Sequence, residues 1–206
     1  ATVVSSSSLQ LPSGYGGIKI GSGGATLAPA AATMLAIDGN TSGVGNLIKS
    51  GAGTLRCQGL LQHTGSTRVS SGDLFINGTS TSSASMTVDA GTRLGGSGTI
   101  QSALELRGNI APGDANASGV LSCSSSVRFY STSRYEWELT EASTTNADRL
   151  QATSVVIEQG ASLKLVFNGT ASTIDFSQSF WKLPRRWTVL ASTAITGALQ
   201  LSLIHI

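Results

Sequence analysis

Leucines open short apolar/polar alternations at near-regular intervals along this chain. Ser50-Gly51-Ala52-Gly53-Thr54-Leu55 recurs in outline as Ser71-Gly72-Asp73-Leu74, Ala90-Gly91-Thr92-Arg93-Leu94 and Gln159-Gly160-Ala161-Ser162-Leu163. Each copy joins a glycine turn to a leucine from which side chains alternate between two faces. Gly51, Gly72 and Gly91 lie 21 and 19 residues apart, and Leu55, Leu74 and Leu94 lie 19 and 20 apart. A period of about 20 residues built from short strands and glycine turns predicts a solenoid. The strands it predicts include Thr67-Arg68-Val69, Leu74-Phe75-Ile76, Met86-Thr87-Val88, Val155-Val156-Ile157 and Leu163-Lys164-Leu165-Val166-Phe167. One alanine-rich run, Ala30–Ala36, is too short to specify a helix.

A sandwich also has short strands, but its turns do not repeat one phrase at a fixed period. Three strands of about four residues plus turns make one coil, and coils stack about 4.8 Å apart through parallel pairing. Inward side chains then form ladders, as Leu55, Leu74 and Leu94 would. The expected fold is all-β: a right-handed, single-stranded parallel β-helix, since parallel crossovers are normally right-handed. One β-helical segment is expected over residues 1–200. It comprises irregular coils at 1–44, the clearest repeats at 45–127 and an aromatic-rich section at 128–200. The last section holds Phe129, Tyr130, Tyr135, Trp137, Phe167, Phe176, Phe180, Trp181 and Trp187, which suits a cap or a wider final section.

Composition narrows the class. Charged residues are 12% of 206 and the net charge is +2, which gives no footprint for nucleic acid. Apolar residues at 40% exclude a disordered composition. No stretch of about 18 apolar residues is present, so no helical transmembrane segment is expected. Ala1-Thr2-Val3-Val4 lacks both an initiator Met and a signal-peptide pattern, so the chain reads as a fragment that begins upstream. Leu201-Ser202-Leu203-Ile204-His205-Ile206 resembles a translated sequencing adapter, and residues 201–206 are expected to be an artefact. Cys57 and Cys123 have no metal-ligand spacing and are expected as small buried residues in separate strands; a disulfide between them is the alternative and would need adjacent coils with the two in facing positions.

Candidate chemistry is sparse. His63 lies in an expected turn and is read as facing solvent; with no G-x-S-x-G elbow, a Ser-His-Asp triad has little basis. Glu136 and Glu138 share one strand face, and a carboxylate pair could serve a glycosidase. The reading preferred here is a solvated face with Trp137 and Leu139 turned inward. Asp148 and Arg149 are read as turn and rim residues. Gly95-Gly96-Ser97-Gly98-Thr99-Ile100 lacks the Asp of a calcium nonapeptide, and Gly43-x-Gly45 lacks the third Gly of a dinucleotide loop. Both are read as turns that need positive φ. Lys182, Arg185 and Arg186 with Trp181 and Trp187 form the densest basic-aromatic patch, read as capping or edge protection, with an anionic surface or polysaccharide as its other use. No catalytic, cofactor-binding or metal-ligating residue is assigned.

Longer stretches carry a family resemblance. Lys49-Ser50-Gly51-Ala52-Gly53-Thr54-Leu55, then Thr64-Gly65-Ser66-Thr67-Arg68-Val69-Ser70-Ser71-Gly72-Asp73-Leu74, resembles the autotransporter passenger-associated β-strand repeat. Leu94-Gly95-Gly96-Ser97-Gly98-Thr99-Ile100, Gly108-Asn109-Ile110-Ala111-Pro112-Gly113, Tyr135–Leu139 and Ala147–Leu150 are similar to segments that follow it in these proteins. The resemblance covers about residues 45–165. Cys57 and Cys123 depart from it, since such passengers usually have few or no cysteines. It implies a bacterial exported or cell-surface β-helical passenger, structural or adhesive, whose repeats accompany passage across the outer membrane. Polysaccharide or host-surface ligands are the partners it implies. The alternative function is a β-helical polysaccharide lyase or glycosidase, which would need clustered acids in an exposed groove.

Overall fold

A computed structural model describes residues 1–15, 17–81, 84–114, 117–167 and 174–201. The chain winds as a parallel β-helix. Two faces belong to one 14-stranded sheet and the third to a 9-stranded sheet. All strand–strand pairings are parallel, and each coil pairs with the coil before and after it. Three isolated antiparallel bridges, Gly96↔Gly113, Asp114↔Ala117 and Leu139↔Ala147, lie outside the strand ladders among the described residues.

The predicted leucine ladder is present. On the second face Leu9, Leu35, Leu55, Leu74, Leu94, Ile110, Tyr135, Leu163 and Leu201 stand in register. Leu35 through Tyr135 in this row are fully buried. The first face contributes Leu27, Lys49, Val69, Val88, Leu106, Phe129 and Ile157. The third contributes Ile18, Thr41, Leu61, Ser80, Ile100 and Cys123. The period-two burial that sets these rows (Leu47–Lys49, Thr67–Val69 and Met86–Val88 all alternate) is what turned the sequence pattern into a core.

The ladders extend through residues 2–43, where the glycine phrase is absent and the sequence suggested only irregular coils. Within the alanine run, Met34–Ile37 is a strand and Ala30–Thr33 is its corner turn. That corner recurs. Thr33, Thr92 and Ser133 each donate both the backbone N–H and the hydroxyl to the carbonyl three residues earlier. The third residue has positive φ in the Thr33 and Thr92 turns, at Ala32 (58°, without being glycine) and Gly91 (79°), and in the related turn closed by Ala161, at Gly160 (102°), but not at Thr132 in the Ser133 turn.

From residue 120 the cross-section changes. The third-face strand of one coil runs directly into the first-face strand of the next as one strand, Val120–Phe129, with a register shift between Cys123 and Ser126 where the corner would be. Arg149–Ile157 and Leu190–Thr196 repeat this fusion. The interior of this section holds the large side chains Phe129, Tyr135 and Trp137, all buried. Residues 202–206, most of the adapter-like end, lie outside the described residues; Gln200–Leu201 pairs with Ser162 and Leu163.

Candidate functional site

His63 corrects the expectation of a solvent-facing turn. It ends the strand Leu60–His63, whose alternate residues Leu61 and His63 point inward, and it is fully buried. Nε2 shares a 2.9 Å hydrogen bond with Thr67 Oγ1, while Nδ1 has no partner. Burial lowers its pKa, so it is a neutral core residue near neutrality.

Lys49 is the second residue whose role the sequence concealed. It occupies the inner ladder between Leu27 and Val69 and is fully buried. Nζ donates to the carbonyls of Ser50 (3.0 Å), Gly51 (2.8 Å) and, one coil on, Ser71 (2.7 Å). Burial lowers its pKa to about 8, against the opposing charge of Asp73. Lys49 is therefore a staple that closes its corner from inside.

The cysteines are free and buried, Cys57 on the second face and Cys123 on the third, in non-adjacent coils. Burial pushes the Cys57 thiol up to about 12, which keeps it unreactive.

The strand Arg134–Leu139 alternates as expected, with Tyr135, Trp137 and Leu139 buried and Glu136 and Glu138 half-exposed. Glu136 is taken up by Lys164 at 3.5 Å and Arg134 at 4.0 Å. Asp148 departs from the expected turn position: it is 1% exposed. Its Oδ1 accepts from Gly119 N at 2.9 Å and its Oδ2 from Glu138 N at 3.0 Å. Burial raises its pKa to about 7, against the pull of these two amides. Burial also raises that of Glu138, with Arg93 opposing. Two acids with raised pKa values thus adjoin, but Asp148 is closed off from solvent and both its oxygens are held by backbone. It pins the base of the loop 140–147 rather than facing a groove.

The basic-aromatic patch divides. Arg185 donates to the Phe180 carbonyl at 2.9 Å and stacks 4.3 Å from that ring. Trp181 and Trp187 pack against the core, Trp187 lying 5.7 Å from Trp137 in an edge-to-face contact. Trp187 Nε1 donates to Ser143 O at 2.9 Å, and Tyr135 Oη donates to Val189 O at 2.7 Å. The first bond clasps the segment 183–189 against the loop 140–147, and the second ties its end to the strand Arg134–Leu139. Between them opens a cleft of about 330 Å³ lined by Val120, Thr144, Thr145, Ala147, Arg149, Arg186, Trp187 and Thr188. Sequence reasoning had separated Arg149 from Arg186; the shared rim requires the fused strands and the clasp.

A second depression, about 410 Å³, lies over Ser8, Leu9, Gln10, Met34, Ala36, Arg56 and Gln58. Its polar groups are already engaged. Arg56 pairs with Asp114 at 2.7 Å, and the Gln10 and Gln58 amides both donate to Asp38. Among the described residues no group of three or more His, Cys, Asp or Glu is placed to hold a metal, and no helix is long and apolar enough to cross a membrane. No protein-family model matches this sequence, and no curated protein matches it either.

Proposed function

We propose that this chain is a structural segment of a bacterial exported or cell-surface β-helical protein, a rigid stalk that presents an adhesive or binding surface. The observation that supports this reading most is the unbroken in-register ladder from Leu9 to Leu201. Because each coil pairs with its sequence neighbours, structure can grow coil by coil on a chain that emerges end first. The two buried, unpaired cysteines add that folding needs no disulfide. The resemblance to passenger-associated repeats supplies the export context.

The competing reading, a β-helical polysaccharide-degrading enzyme, draws on the raised pKa values of Glu138 and Asp148. The enclosure of Asp148 weighs against it. Fusion ahead of an outer-membrane β-barrel translocator tests the stalk reading. The segment is expected to reach the cell surface and to resist proteinase K there. Surface display no better than that of an unfolded linker of equal length would overturn it.

A further inference from the structure

We infer that the cleft between the loop 140–147 and the segment 183–189 is a binding site for an acidic polysaccharide, with Arg149 and Arg186 holding its anionic group. The inference rests on the surface-presentation reading above and gives that surface a ligand class.

The argument begins with how the arginines are used. The chain has nine. Arg56, Arg68, Arg107, Arg128 and Arg134 are each within ion-pair distance of a carboxylate. Arg93 stacks over Phe75 and Arg185 over Phe180. Only Arg149 and Arg186 have neither an ion pair, a side-chain hydrogen bond nor a ring contact among the described residues, and both line the same cleft. Arg149 is half-buried with its Nε sealed and unpartnered, so part of its desolvation is already spent before any ligand arrives. No carboxylate lines the cleft to compete for it. Asp148, next in sequence, points the opposite way into its two backbone amides.

The rest of the lining narrows the class. Trp187 is held by its bond to Ser143 O and by Trp137, so it offers a fixed aromatic wall at no cost in ordering. Thr144, Thr145 and Thr188 add hydroxyls on the rim. A guanidinium pair for an anion, an aromatic wall for the C–H face of a sugar ring and hydroxyls for sugar hydroxyls together fit an acidic saccharide. With a net charge of only +2, the chain has little general attraction for polyanions, so the affinity must come from this cleft. The anionic group is a carboxylate or a sulfate, which share this chemistry.

The test is calorimetric titration of the full chain at low salt with oligogalacturonate, a heparin oligosaccharide, a neutral dextran oligosaccharide and single-stranded DNA. Binding of the uronate or the sulfated sugar is expected, with none of the neutral sugar; the preferred one identifies the anionic group. The variant R149Q/R186Q is expected to weaken binding by about tenfold or more, with thermal melting unchanged. R149K/R186K, which keeps the charge and loses the planar fork, should fall between the two. Absence of binding to either acidic sugar, equal binding of the neutral one, tighter binding of DNA or full affinity in R149Q/R186Q would each overturn the site. Surface display in the translocator fusion would be untouched by any of these results, so the two readings fail separately. Should R149Q/R186Q melt early, the single variant R186Q, at an exposed side chain, takes its place, and full affinity in it would overturn the site.

Discussion

The coils over residues 25–112 and the section from 120 onward use one ladder in two ways. In the first, a corner separates every short strand. Ser, Thr, Gly and one buried lysine close those corners, and the inner rows are mostly Leu, Ile and Val, with no Phe, Tyr or Trp in those rows among the described residues. In the second, corners between the third and first faces vanish into the fused strands Val120–Phe129, Arg149–Ile157 and Leu190–Thr196. The interior there takes Phe129, Tyr135 and Trp137, and the loop 140–147 and the segment 183–189 are clasped over it. Where the corners are lost, larger side chains fill the interior, and the cleft with unpaired arginines lies in that section, whereas the polar groups of the depression over Ser8–Gln58 are already engaged.

The largest expected effect breaks the ladder itself. Leu74→Asp buries an unpaired carboxylate between Leu55 and Leu94 and should cost more than about 4 kcal/mol in urea unfolding. Leu163→Asp, in the same row but half-exposed, should cost about 2 kcal/mol. Equal losses would mean that the later section packs as tightly as the repeats.

Next come the staples. Lys49→Ala removes the donor to three carbonyls and leaves a void, at about 3 kcal/mol. Lys49→Met fills the volume without donating and should cost about 1–2 kcal/mol. A Met variant as stable as the native chain would show that the ammonium adds nothing at this corner.

Asp148 in the later section and Lys49 in the repeats are both buried, and their pH dependences run in opposite senses. Asp148 holds its proton to about pH 7 when folded, so its contribution is full below about pH 4 and lost as pH rises to about 7. Lys49 is harder to protonate when folded, so stability rises between about pH 8 and 10.5. His63, also lowered, opposes Asp148 by costing stability as pH falls below about 6.5. Melting temperature against pH should show a downward slope that Asp148→Asn flattens and an upward one that Lys49→Met removes. Persistence of either slope in its variant would reassign that charge.

The smallest effect is at a corner. Ala32→Gly relieves a left-handed residue where equivalent turns carry Gly91 and Gly160, and should raise stability by about 0.5–1 kcal/mol. Gly91→Ala, with open space around the added methyl, should lose about 1 kcal/mol through φ alone.

Much of the fold was legible because a ladder writes itself into the sequence. Leu55, Leu74 and Leu94 repeat at the coil length, and Gly51, Gly72, Gly91 and Gly160 mark corners through their φ. Two inward polar residues were not legible. His63 follows the inward phase of its strand, yet it reads from sequence as a solvent-facing turn residue, and Lys49, on the same inward phase, draws no reading of its own. Period two was the better guide, since one residue of slip would reverse the whole strand. Asp148 was illegible for another reason: its partners, the amides of Gly119 and Glu138, are backbone groups that any sequence carries.

The sequence by itself therefore determined the coil, its period and its inward rows, because these depend on contacts between residues about 20 apart that repeat in kind. Only the tertiary structure decided the cleft. Val120, Arg149 and Trp187 meet there because strands fuse and Trp187 is bonded to Ser143 across 44 residues. No local period encodes a contact made once, by two loops that the repeats merely hold in place.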